Sequence, residues 1–204
     1  TVVLTAYDRV FRGDIEGAKF FEHEGESDES LKSPLAGAEF EIWLQDDGSL
    51  AGKGYSVAPI LDAQGKAVFS NDGSALFGSL MGTVTTKSDG RFTSKDLLEN
   101  WEPEAHGGQS APSCALPYGT YTIVETHCPD EALRLVDPII DIEVHADAHI
   151  AFMTIEDRRI YSPVRVKKTD AETGKTVLSP GTVVELLRQD ANGEYQPVSF
   201  DVHT

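Results

Sequence analysis

Apolar residues in this chain recur at every second position, and each run is soon cut by a turn-forming cluster. Val2, Leu4 and Ala6 alternate with Val3, Thr5 and Tyr7, and Phe40, Ile42 and Leu44 alternate with Glu39, Glu41 and Trp43. Tyr121, Ile123 and Glu125 alternate with Thr120, Thr122 and Val124, and Ile140, Ile142 and Val144 with Asp141, Glu143 and His145. A period of two sends successive side chains to opposite faces of a strand, so these runs predict half-buried strands of an antiparallel sheet or sandwich. Asp46-Asp47-Gly48, Asn71-Asp72-Gly73, Ser88-Asp89-Gly90 and Asp190-Ala191-Asn192-Gly193 read as the hairpin turns between them. None is followed by the ligand ladder of a calcium loop. One helix is expected from Ser94 to Trp101, capped by Ser94 and stopped by Pro103, and the stretch from Pro103 to Pro112 reads as loop.

The charge narrows the function classes. Among 204 residues, 17 are Lys or Arg and 34 are Asp or Glu, a net charge of −17. Nucleic-acid binding needs a basic face, and an anionic membrane surface would repel this chain. No apolar run approaches the ~20 residues of a membrane-spanning helix. The 40% hydrophobic content supports an ordered core. Glu22, Glu24, Glu26, Asp28 and Glu29 read as a solvated loop. There is no Gly-rich phosphate loop, Gly-x-Ser-x-Gly elbow or His-Glu-x-x-His motif, so no enzyme and no cofactor are expected.

Cys114 and Cys128 form either one disulfide, in an exported protein, or two separate thiols. A bridge requires the Pro-rich loop to fold back along a strand of ~20 Å. His145 and His149 flank Asp147, but along an unbent strand their imidazoles lie ~13 Å apart, too far for one tetrahedral ion. No metal site is expected.

An internal repeat organises the chain. Val164 to Asp170 overlays Val2 to Asp8, and Ser179 to Leu187 overlays Leu35 to Trp43. The two overlays differ in offset, so the first copy carries a longer spacer, which holds the acidic cluster. This gives two domains, residues 1–160 and residues 161–204, with the second copy incomplete and the chain expected to be a fragment of a longer one. Pro163 holds the link at Ser162 extended.

These blocks resemble the collagen-adhesin B-type (Cna-B) domains, also called SpaA-like or prealbumin-like pilin domains, of Gram-positive surface proteins. The segment from Ser162 to Lys175 is close to the family's opening strand, and Leu35 to Ile42 to its second strand. Leu116-Pro117-Tyr118-Gly119-Thr120-Tyr121, running on to Thr126, is close to its Leu-Pro-x-Gly-x-Tyr hairpin and glutamate-bearing strand. The resemblance implies an all-β, prealbumin-like or reverse-Ig sandwich with loop insertions, followed by the incomplete copy. Its first strand, Val2 to Asp8, should lie beside its last, Ala151 to Asp157.

Many such domains lock themselves with an isopeptide bond between a Lys on the first strand and an Asn or Asp on the last, assisted by a Glu. By the resemblance, Lys168 is the second domain's nucleophile, Glu125 the assisting acid and Asp157 the acceptor. Parity places Glu125 with Tyr121 and Ile123, Asp157 with Met153 and Ile155, and Lys168 with Val164 and Val166, all on core faces. Ala6 stands where Lys168 stands in the second copy, so the first domain is expected to have lost its lysine. Its two acids would then face each other without a cation, and one would keep its proton. Lys19 or Lys32, in the spacer, is the remaining source of an amine.

The function implied is that of a structural stalk module of a cell-wall-anchored adhesin or pilus-like protein, at the cell surface. The alternative is a ligand-binding head that uses insertions at about residues 9–34 and 50–115. The implied partners are a host matrix protein or glycan, met through the parent protein, and a second copy sharing strands through the edge from Val183 to Leu187.

Overall fold

Strand β1 runs from Arg12 to Phe21 and supplies the backbone on which much of one sheet is hung. The computed structural model describes residues 10–21, 33–106, 108–130, 133–159, 167–177, 183, 185–189 and 193–197. Val2 to Asp8, expected as the first strand, lies outside the described residues. The expectation fails at β1, which occupies part of the stretch read as an insertion.

The chain divides into two compact units, Thr1–Tyr161 and Ser162–Thr204. In the first, β1 pairs in parallel with β11 (Ile150–Arg159), in register from Asp14 opposite Ile150 to Phe21 opposite Asp157. Short antiparallel strands complete this sheet: β2 (Ser33–Pro34), β6 (Arg91–Thr93) and β7 (Leu116–Pro117) on β1, and β9 (Leu133–Arg134) on β11. The second sheet is antiparallel, in the order β10 (Ile139–Val144), β8 (Gly119–His127), β3 (Glu39–Gln45), β5 (Phe77–Thr85), β4 (Ala58–Pro59). The stretch at 50–115, read as an insertion, thus contributes β4, β5 and β6 to the sheets.

Each sheet has an apolar face, and the two meet in one core. Ile15 and Ile155 come from the first, Phe40, Ile42, Tyr121, Ile123 and Val144 from the second, and Phe92 from β6. Gly17 makes room for Phe92, because a Cβ there would stand 2.4 Å from its ring. The Leu116-Pro117-Tyr118-Gly119 turn is pinned by Tyr121, whose buried hydroxyl donates to the Pro117 carbonyl at 2.5 Å. A smaller apolar cluster of Ile60, Val68 and Val124 covers the other face of β8.

The expected helix is a short 3-10 turn, Ser94–Leu98, capped by Thr93 rather than Ser94. Ser94 is diverted inward. Its hydroxyl accepts from Ile15 N at 3.1 Å and donates to Asp14 Oδ1 at 2.9 Å. The same Asp14 oxygen accepts from Ala115 N at 2.9 Å, and Asp14 is fully buried. One carboxylate therefore ties β1 to two segments that follow it far along the chain.

In the second unit, β12 (Leu187–Gln189) and β13 (Tyr195–Pro197) form a hairpin, and Asp170 organises a turn by accepting from the Glu172 and Thr173 amides.

Asp14→Ala removes the acceptor from two buried donors. The expected cost is about 3 kcal/mol, read as a lowered urea midpoint. Asp14→Asn, which keeps one acceptor oxygen, should lose less. Equal loss in the two variants would contradict the assignment.

Candidate functional site

Lys19 shares parity on β1 with Ile15, which points its side chain into the core. Its backbone is held on both sides. Lys19 N donates to the Gly90 carbonyl at 2.8 Å, and Lys19 O accepts from Leu35 N at 2.9 Å. Gly90 has φ +74°, and a Cβ there would meet Lys19 O at 2.4 Å, so the Ser88-Asp89-Gly90 turn closes on β1 only as glycine.

Two carboxylates meet the Lys19 ammonium. Asp157, on β11 of the same sheet, accepts from Nζ directly through Oδ1. Glu125, from β8 across the core, brings Oε1 to 2.8 Å. All three side chains are 0% exposed. The Phe40 ring lies under Nζ at 5.4 Å, a cation–π contact. Val136 N donates to the other Glu125 oxygen at 2.8 Å. Cys128, one residue beyond β8, places Sγ 3.4 Å from Asp157 Oδ2 and 3.4 Å from the Asp130 carbonyl.

Burial is the largest influence on Glu125 and raises its pKa, opposed by Lys19 and the Val136 N–H. Burial also pushes the Cys128 thiol up to about 11. Lysine beside a carboxyl, with a second acid in contact, has the parts of an amide condensation: a nucleophile, an electrophilic carbon and a proton carrier. Glu125, Cys128 and Asp157 also set ligand atoms within 4.8 Å of one another, a spacing that suits a metal ion. The Lys19 ammonium already occupies the cation position between the two acids.

The structure redistributes the expected site residues. Glu125 and Asp157 are brought together on the core face. Ala6 lies outside the described residues, and the loss of the lysine inferred from it does not hold, because Lys19 fills the gap between the acids. Glu125 and Asp157 are therefore not an uncompensated pair. Lys168, expected to face a core, is exposed: among the described residues of the second unit, no packed layer covers it.

Cys114 and Cys128 are free thiols. Cys114 lies beside Asp14, whereas Cys128 lies beside Asp157, the partner of Phe21, so they sit at opposite ends of β1, roughly 20 Å apart and beyond disulfide reach. His145 and His149, expected far apart, have ring centroids at 4.3 Å, because the chain turns between them with Ala148 at φ 57°. No third ligand joins them among the described residues. The acidic cluster at 22–29 lies outside the described residues.

Sequence reasoning named Lys19 only as one of two spacer lysines, beside Lys32, and did not fix its phase, because β1 hides its alternation. Gly17 takes a core position beside Phe92, while Asp14 and Ala18 are buried on the opposite face. The available signal was the phase of Ile15 and Lys19 together with the aromatic end of the run at Phe20 and Phe21.

No curated protein matches the chain. Among solved structures, the fold is similar to that of the major pilin SpaD from Corynebacterium diphtheriae, at 17% identity and TM-score 0.40, covering 72% of this chain and 32% of that one. It is also similar to GBS52, the minor pilin of Streptococcus agalactiae, at 14% identity and TM-score 0.38, covering 78% of this chain and 50% of that one. The shaft pilin SpaA from Lactobacillus rhamnosus GG is 16% identical at TM-score 0.39, with 90% of this chain and 62% of that one covered. The chain thus spans less than two thirds of each of these three proteins. Residues 26–159 match the family described as SpaA, prealbumin-like fold domain, a span that begins just after β1. That match takes in well over half of the residues, and the chain belongs to the SpaA prealbumin-like fold domain family.

Proposed function

We propose that the first unit is a structural module of an extracellular pilus or adhesin stalk, locked by an amide bond between Lys19 Nζ and Asp157 Cγ. The observation that carries this reading is the fully buried lysine in contact with two buried acids, one of them on the strand paired to its own. The condensation balances within the site. Two protons leave the ammonium nitrogen, a C–N bond forms, a C–O bond of Asp157 breaks, and the oxygen departs as water. Glu125, in contact with Nζ, carries the protons. Exclusion of water by the core favours condensation over hydrolysis of the product.

The location of the bond suits a stalk. β1 and β11 are parallel, so the first unit is entered at one end of the strand pair and left at the other. A bond from Lys19 to Asp157 would pass tension from β1 straight into β11. The loop between them, a sequence separation of 138, would carry none of it. The commitment of β4, β5 and β6 to the sheets favours this reading over a ligand-binding head. In the second unit, exposed Val183 and Leu187 suit strand sharing with a second copy.

Intact mass under denaturing conditions tests the bond. The chain should be lighter than its sequence by one water, and Lys19→Met, Asp157→Ala and Glu125→Gln should each keep full mass. By the loop-entropy argument for cross-links, Lys19→Met should lose about 4 kcal/mol of stability or more. A wild-type chain at full mass overturns the reading.

Glu125 adds a pH dependence. Its carboxyl is held above the ordinary value of 4.5, so the folded chain binds this proton more tightly than the unfolded chain. That contribution is present below the ordinary glutamate range and is lost as pH rises through the raised value. Side-chain carboxyl NMR should place the Glu125 midpoint above 4.5, and Glu125→Gln should remove the matching fall in the urea midpoint. A midpoint at or below 4.5 would contradict the burial argument.

A further inference from the structure

We infer that the Cys128 thiol is a hydrogen-bond donor to the reacting carboxyl, fixing which Asp157 oxygen stays in the amide and which departs as water. This rests on the Lys19–Asp157 bond proposed above and assigns a further group to it. The two Asp157 oxygens face different partners. Oδ1 is turned to Lys19, which also touches Glu125, while Oδ2 has Cys128 Sγ at 3.4 Å.

That division matters when the amine adds to Cγ. One oxygen must take the developing negative charge, and the other must receive protons and leave. Oδ1 shares the Lys19 Nζ contact with Glu125, so protons leaving Nζ have a route through Glu125 to Oδ1. Among the described residues, the donor placed at Oδ2 is the thiol. The thiol hydrogen bond to Oδ2 would stabilise the oxyanion of the tetrahedral intermediate. When the Cγ–Oδ1 bond breaks, the electron pair on Oδ2 re-forms the carbonyl, and the thiol remains bonded to the amide oxygen. Cys128 gives up no proton, and nothing is oxidised or reduced.

The environment keeps the group in the donor form. Burial raises the thiol, and the neighbouring Asp157 and Glu125 carboxylates raise it further, although the Asp130 carbonyl contact is also within its reach. A thiolate here would be repelled by both acids and would be useless as a donor. The position on the chain is also favourable, since Cys128 follows the last residue of the strand that carries Glu125.

The test times the loss of water in freshly made chain, by cell-free synthesis with intact mass sampled as the reaction proceeds. Wild-type chain and Cys128→Ser, which keeps an O–H donor, should link at rates within about threefold of each other. Cys128→Ala should link about tenfold more slowly, less than the hundredfold or more lost with stronger oxyanion donors. Cys128→Val, close to the thiol in volume and lacking a donor, should be as slow as Cys128→Ala and keeps the comparison valid if the alanine chain fails to fold. Donor-free variants that link at the wild-type rate overturn the role of the thiol while leaving the bond intact. A serine variant as slow as the valine variant overturns it as well. Wild-type chain that never loses water refutes the bond itself, and the Cys128 assignment with it.

Discussion

A lysine ammonium in an apolar interior is tolerable only where its charge is met at contact distance, and this sandwich is arranged around meeting it. Lys19 is met by Asp157 within its own sheet and by Glu125 across the core. One cation and two acids balance only when one acid keeps its proton. Burial pushes the Glu125 carboxyl toward its protonated form. The surrounding features follow from this need. Phe40 offers a ring face to the ammonium, Val136 spends its amide on Glu125, and the Gly90 turn and Leu35 fix the Lys19 backbone. Removing Lys19 or Asp157 alone would leave the other's charge in a core that cannot solvate it.

Part of this arrangement was legible in the sequence. The alternation that carried Tyr121 and Ile123 inward carried Glu125 with them, and the same parity turned Asp157 inward beside Ile155. The Leu116-Pro117-Tyr118-Gly119 turn announced the start of β8. The inward phase of Lys19 was not legible, because strand alternation marks a face only when the opposite face is polar and exposed. β1 is buried on both faces, with a glycine at one core position and an aspartate sequestered on the other side. The repeat then drew attention to Val2–Asp8, whose pattern is the cleaner one. His145 and His149 illustrate a different limit: their spacing gives a distance only if the chain stays straight, and it turns at Ala148. Ser94 shows a third, since a residue fit to cap a helix was needed more urgently by Asp14.

The parallel pairing of β1 with β11 is the topological counterpart of the charge cluster. Parallel neighbours require a long crossover, and here the crossover is nearly the whole unit. The family match begins after β1 and ends at the last residue of β11. The acids thus lie within the matched span and the lysine before it.

The same topology bears on proteolysis. The hairpin tips around Gly48, Gly65 and Gly73 are exposed turns, the kind of site where proteases cut first. With Lys19 and Asp157 joined, every one of these tips lies inside a closed covalent ring. A single cut there would open the ring without releasing either end. The segment before β1 and the segment after β11 would stay attached to each other through the proposed amide.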